Sequence, residues 1–131
     1  EPLAPLAPKG TKLSLYMICS EKNNAQAQAP MTAAYEALAQ RVGATVCPVG
    51  ALWWQVAQSH PEEELYFADG EHSSVLGASL AGAIIGRTLL GMELTPETCY
   101  QDAKVLESLP LDPRMIDLTV VDGKLDLAPL G

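Results

Sequence analysis

Leu13-Ser14-Leu15-Tyr16-Met17-Ile18-Cys19, the segment from Pro30 through Met31, Tyr35, Leu38 and Val42 to Gly43, and then Ala44-Thr45-Val46-Cys47-Pro48-Val49 decide the fold class. The first run is short and apolar, lies between Gly10 and the polar Glu21-Lys22-Asn23-Asn24, and reads as a central, buried strand. The second repeats its apolar residues at helical spacing, with Pro30 suited to a first turn and Gly43 to a left-handed C-terminal cap. The third is a short strand that ends near Pro48, which cannot donate to a ladder. Strand, helix and strand in this order imply a parallel pair and an α/β class.

Further along, Leu52, Trp53 and Val56 suggest a short helix from Ala51 to about Ser59, with Trp53 as the buried member of the adjacent tryptophans. The acidic run Glu62-Glu63-Glu64 reads as solvated surface. Leu65-Tyr66-Phe67 leads into Asp69-Gly70-Glu71-His72, after which Ser73 or Ser74 caps a long apolar helix ending near Leu90, followed by Gly91. Within that helix Gly77, Gly82 and Gly86 cost propensity, and close backbone approach to a neighbour is the expected compensation. Thr95-Pro96-Glu97 starts a last helix to about Leu109. Beyond it, Ile116 to Val121 and Lys124 to Leu127 alternate about Asp122-Gly123, the pattern of a β-hairpin with a type I′ turn. The expected organisation is a Pro-rich lead-in over 1–12, an α/β portion over 13–109 and a hairpin extension over 110–131.

Composition bounds the function. The chain has 131 residues, 48% hydrophobic and 18% charged, enough for one compact core. Sixteen acidic against eight basic residues give a net charge of -8, which argues against nucleic acid as a partner. No apolar run reaches the length of a membrane span, since Val75 to Leu90 is interrupted by glycines and Arg87. The Pro-rich start lacks the charged and apolar regions of a signal peptide. Cys19, Cys47 and Cys99 form no C-x-x-C pair and read as small buried apolar residues.

The chemistry is expected in the loop before the long helix. An imidazole becomes a general base when a carboxylate accepts its Nδ1 proton and leaves Nε2 to take a hydroxyl proton, and Asp69 and His72 have the residue types and spacing for this. Their position after an extended segment and before a helix is where open α/β sheets place ligands. Ser20, Asn23 and Trp53 are the further candidates for substrate contact, Ser20 because it follows the first strand at the same sheet edge. His60 is expected to be an exposed residue at a helix end. Asp69, Glu71 and His72 are too few and too close in the chain for a full ligand set, so neither a metal nor a cofactor is expected.

Taken together, Pro48-Val49-Gly50, Trp53, Leu65-Tyr66, Asp69-Gly70-Glu71-His72-Ser73-Ser74, Gly77 and Leu80-Ala81 resemble the C-terminal block of the SGNH (GDSL-like) hydrolase family, over roughly Leu13 to Gly91. The family pattern is close to P-V-G-x-A-W, then L-Y-x-x-D-G-x-H-P-S-x-x-G-x-Y-L-A. Ser73 replaces its usual proline and Ser79 a frequent aromatic residue. The resemblance implies a flavodoxin-like three-layer α/β/α fold with a parallel sheet, and serine-esterase chemistry on acyl esters, often of carbohydrates or lipids. Asp69 would orient His72, and His72 would deprotonate a serine.

The family's Gly-Asp-Ser or Gly-Asn-Ser nucleophile turn has no counterpart before Leu13. The resemblance therefore implies a partner, the N-terminal half of the same fold, and it suggests a periplasmic or secreted setting. The competing expectation is a non-catalytic binding or structural module, either self-sufficient or self-associating through an exposed sheet edge.

Overall fold

The structure, a computed structural model, describes residues 8–110 and the backbones of Thr119–Val121 and Lys124–Asp126. The order is β1 (Ser14–Tyr16), α1 (Gln28–Val42), β2 (Thr45–Cys47), α2 (Val49–Ser59), α3 (Val75–Leu90) and α4 (Pro96–Ser108), then β3 (Thr119–Val121) and β4 (Lys124–Asp126). The class is mixed α/β: four helices beside a small parallel sheet. β1 pairs with β2 in the register Ser14↔Thr45, Leu15↔Val46, Tyr16↔Cys47.

The strand–helix–strand reading holds, with one correction. β1 is neither central nor buried, because β2 is its only neighbour among the described strands. Met17, just past its end, is 1% exposed, whereas Tyr16 is 48% exposed. β3 and β4 pair antiparallel, Val120 opposite Leu125. The turn expected at Asp122-Gly123 lies outside the described residues, as does the lead-in before Pro8.

Local chemistry explains the helix limits. α1 begins at Gln28, two residues before Pro30, which is tolerated in a first turn whose N–H groups have no intrahelical acceptor. It ends at Gly43, φ 69°. α2 starts at Val49, earlier than Ala51, directly after Pro48. Ser74 rather than Ser73 caps α3, accepting the Gly77 N–H at 3.0 Å. Thr95 and Thr98 form a reciprocal capping box at the start of α4.

The core lies between α2, α3 and α4. Trp53, Val56, Leu80, Ile84, Cys99 and Ala103 are all at most 2% exposed. α3 and α4 are also clamped by Arg87, which donates to both carboxylate oxygens of Asp102 at 2.5 and 3.2 Å and to the Glu93 carbonyl at 2.8 Å. Gly77 is where α3 meets the chain before it: a Cβ there would lie 2.1 Å from the Leu65 carbonyl oxygen and 2.5 Å from Cη2 of Trp53. The expectation of close approach is met at this glycine alone. At Gly82 and Gly86 a Cβ would meet nothing within 4 Å, so those two residues face open space.

A polar network ties the end of α2 to α4, and it corrects two expectations. His60 caps the C-terminal end of α2, as expected, but its side chain is only 20% exposed. Its ring stacks on Tyr100 at 3.7 Å, and Nε2 lies 2.9 Å from Glu97. Nor is the acidic run only solvated surface, since Glu63 accepts the Tyr100 hydroxyl at 2.8 Å and lies 3.2 Å from Lys104. The Glu97 carboxylate raises the His60 pKa, and His60, after Gln101, helps to hold Glu97 below its usual range.

Two predictions follow from the packing and the network. Gly77→Ala is expected to lower stability by about 1–3 kcal/mol, as overpacking does. Gly82→Ala, on an open helix surface, is expected to raise it by roughly 0.5–1 kcal/mol, and urea unfolding of both variants checks the pair. Because the folded His60 pKa is raised, its contribution is fully present below its ordinary 6.5 and is lost as pH rises through the folded value. That loss should shrink in the pH dependence of the unfolding midpoint in Glu97→Gln, the remainder being due to Glu62, 3.5 Å from Nδ1.

Candidate functional site

The loop from Tyr66 to Ser73 is a closed turn hung from one rung. Tyr66 and Ser73 form an isolated antiparallel bridge, Phe67 donates to the His72 carbonyl at 2.7 Å, and Ser74 donates to the Leu65 carbonyl at 2.9 Å. At its tip Gly70 donates to the Phe67 carbonyl at 3.0 Å with φ 72°, a conformation that side chains disfavour. The loop is fastened to the segment after β1 by Lys22 N–H to the Gly70 carbonyl at 3.0 Å and by the Lys22–Glu64 ion pair at 2.6 Å. It is fastened again by the Tyr66 hydroxyl, which donates to the Ser20 carbonyl. Burial pushes the Tyr66 phenol well above its ordinary range and keeps it a donor.

Within this turn Asp69 performs two tasks. Its Oδ1 accepts the backbone N–H groups of Glu71 and His72, both at 2.9 Å, which fixes the carboxylate plane. Its Oδ2 lies 2.5 Å from Nδ1 of His72. With Nδ1–H donating to Asp69, Nε2 is the basic nitrogen, and no group among the described residues engages it. The imidazole is 79% exposed. The His72 hydrogen bond, followed by those from the Glu71 and His72 backbone, pulls the Asp69 pKa down to about 2, and Asp69 in turn raises that of His72. The arrangement is an oriented base open to solvent, competent to accept a proton from a hydroxyl brought to Nε2.

The other candidates lie at different depths. Asn23 is exposed and shares a shallow hollow of about 280 Å³ with Asp69 and Glu71. Ser20 is 5% exposed, its hydroxyl accepts the Trp54 indole N–H at 3.1 Å, and its N–H donates to the Gln28 side chain at 2.8 Å. It therefore serves as a joint between β1, α1 and α2. Trp53 is 2% exposed and packs edge-on against Tyr66 at 5.2 Å, so most of its indole belongs to the core. Its Nε1 is the one buried side-chain polar atom without a hydrogen-bond partner among the described residues.

Gln28 is a supporting residue that sequence reading missed, and the Leu65-Tyr66 motif names Tyr66 without showing its bond to the Ser20 carbonyl. Gln28 sits at a helix start with no motif around it, and its role, bridging Ser20 N–H to the Thr32 hydroxyl at 3.2 Å, depends on how the chain folds back between β1 and α1. Donor atoms of Asp69, Glu71 and His72 lie within 4.8 Å of one another, all three residues exposed. Both Asp69 oxygens already accept hydrogen bonds there. All three cysteines are free; Cys47 and Cys99 are buried, as expected of small apolar residues, whereas Cys19 is only half-buried.

No family model, curated protein or solved structure matches the chain. None of the described helices is long and apolar enough to cross a membrane.

Asp69→Asn keeps the oxygen that organises the turn and removes the charge beside Nδ1. Its expected effect is a fall of the His72 pKa toward its ordinary 6.5, read by NMR titration of the ring protons. An unchanged titration curve would show that Asp69 does not orient the ring.

Proposed function

We propose that this chain carries the base and the orienting carboxylate of an SGNH-type serine ester hydrolase. One observation carries the reading: Nδ1 of His72 lies 2.5 Å from Asp69, which leaves Nε2 free and basic at the solvent edge of the loop. In this reading His72 takes the proton of a serine hydroxyl as that oxygen attacks an acyl carbonyl. It then gives the proton to the departing alcohol, and Asp69 stabilises the imidazolium in between. The substrate class is an acyl ester of a carbohydrate or lipid. The three-layer flavodoxin-like sheet belongs to the same proposal, with β1 and β2 as part of a larger parallel sheet.

The nucleophile is assigned to a segment outside these residues. Ser20, which follows β1 at the same sheet edge, is buried with its hydroxyl already bonded to Trp54. That observation also favours a second reading, a non-catalytic binding or structural module in which Asp69 and His72 serve only the turn they close.

Hydrolysis of a short-chain aryl ester separates the two. The purified chain is assayed alone and with a serine-bearing N-terminal segment added in trans, with His72→Ala as control. Turnover that needs the segment and is lost in His72→Ala is the expected result. It should rise with pH as the imidazole loses its proton, with a midpoint above 6.5 because Asp69 favours the protonated ring. Turnover indifferent to His72, or none in either setting, would favour the non-catalytic module.

A further inference from the structure

The two edges of β1 are not alike. The bonds from Thr45 to the Leu13 carbonyl at 2.9 Å and from Met17 to the Cys47 carbonyl at 3.1 Å show that the odd-numbered residues make the rungs to β2. Alternation then turns the N–H and C=O of Ser14 and Tyr16 to the opposite edge. Among the described residues, nothing bonds to them there. Beside this edge Tyr16 and Ile18, each 48% exposed, line a hollow of about 520 Å³ with Ala78, Gly82 and Ile85 of α3. Such an edge fits a strand better than a helix, because only a strand returns a ladder of backbone donors and acceptors.

We propose that β1 pairs edge to edge with β1 of a second copy, antiparallel about a two-fold axis at Leu15. Ser14 of each copy then faces Tyr16 of the other, and each such pair exchanges N–H···O=C bonds in both directions. The two sheets become one, in the order β2-β1-β1-β2. Charge selects the direction. Lys9 and Lys12 precede β1, and Glu21 follows it beside Lys22, whose charge is met by Glu64 at 2.6 Å, so antiparallel pairing brings the basic end of each strand to a net acidic end of the other. Parallel pairing would set like charges together. The net charge of -8 per copy opposes association, so the dimer forms in a concentration-dependent equilibrium. The assignment uses neither Asp69 nor His72, and it rests on the second reading, the self-contained module, because further strands of a larger parallel sheet laid beside β1 would take the same edge.

Sedimentation equilibrium and amide hydrogen exchange of the full chain test it. The apparent mass is expected to rise from one chain toward two with concentration, and the Tyr16 amide to gain protection in step. Tyr16→Pro removes a donor from each copy and should weaken the dimer by about tenfold or more, with circular dichroism checking the fold. Lys12→Glu leaves the backbone intact and should weaken the dimer too. Adding Glu21→Lys to it restores the net charge to -8 and should restore pairing. A single-chain mass at every concentration, or a dimer indifferent to Lys12→Glu, would overturn the proposal.

Discussion

The Leu65 carbonyl is the contact on which the arrangement of the molecule depends. It accepts the Ser74 N–H at the start of α3, and it sits where any side chain at position 77 would collide. Only because residue 77 is glycine does α3 come this close to the preceding chain. That approach brings Leu80 and Ile84 into one core with Trp53 and Val56. The rung also fixes the two ends of the loop from Tyr66 to Ser73 against each other, so the loop can be short and tightly bonded.

From that rung the loop places a carboxylate–imidazole pair at the surface without burying it. Asp69 is held by two backbone N–H groups and by the imidazole, all within three residues, so the geometry is local and needs little from the remote core. What the tertiary structure adds is location. The Tyr66 hydroxyl on the Ser20 carbonyl and Lys22 on the Gly70 carbonyl bring the loop beside the chain leaving β1. Ser20, close in kind to a nucleophile on paper, becomes a buried joint because three elements converge on it.

The parallel pair of strands has a different character. Parallel sheets are ordinarily covered on both faces, because their crossovers lay helices over them. Here Met17 is buried and donates its N–H into the ladder with β2, while Tyr16 and Ile18 on the other side are half exposed. The helices, by contrast, are well satisfied at their ends, by the Ser74 cap, the Thr95–Thr98 box and the Arg87 clamp. Among the described residues the helices pack closely where they meet, and one edge of the parallel sheet is left open.

Much was legible in the sequence where the determinants are local. Helical spacing and end signals located α1, α3 and α4, Gly43 and Gly91 marked two helix ends, and the spacing of Asp69, Gly70 and His72 described a turn in which carboxylate and ring meet. Each of these depends on backbone preferences and neighbours a few residues away. The tertiary structure alone decided the rest. It made Gly77 a contact and left Gly82 and Gly86 open, stacked His60 on a tyrosine forty residues later and engaged Glu63 with α4. It also left β1 at an edge and buried Ser20. These outcomes depend on which surfaces meet across long separations, and packing distance between distant segments is a quantity that periodicity and local propensity do not contain.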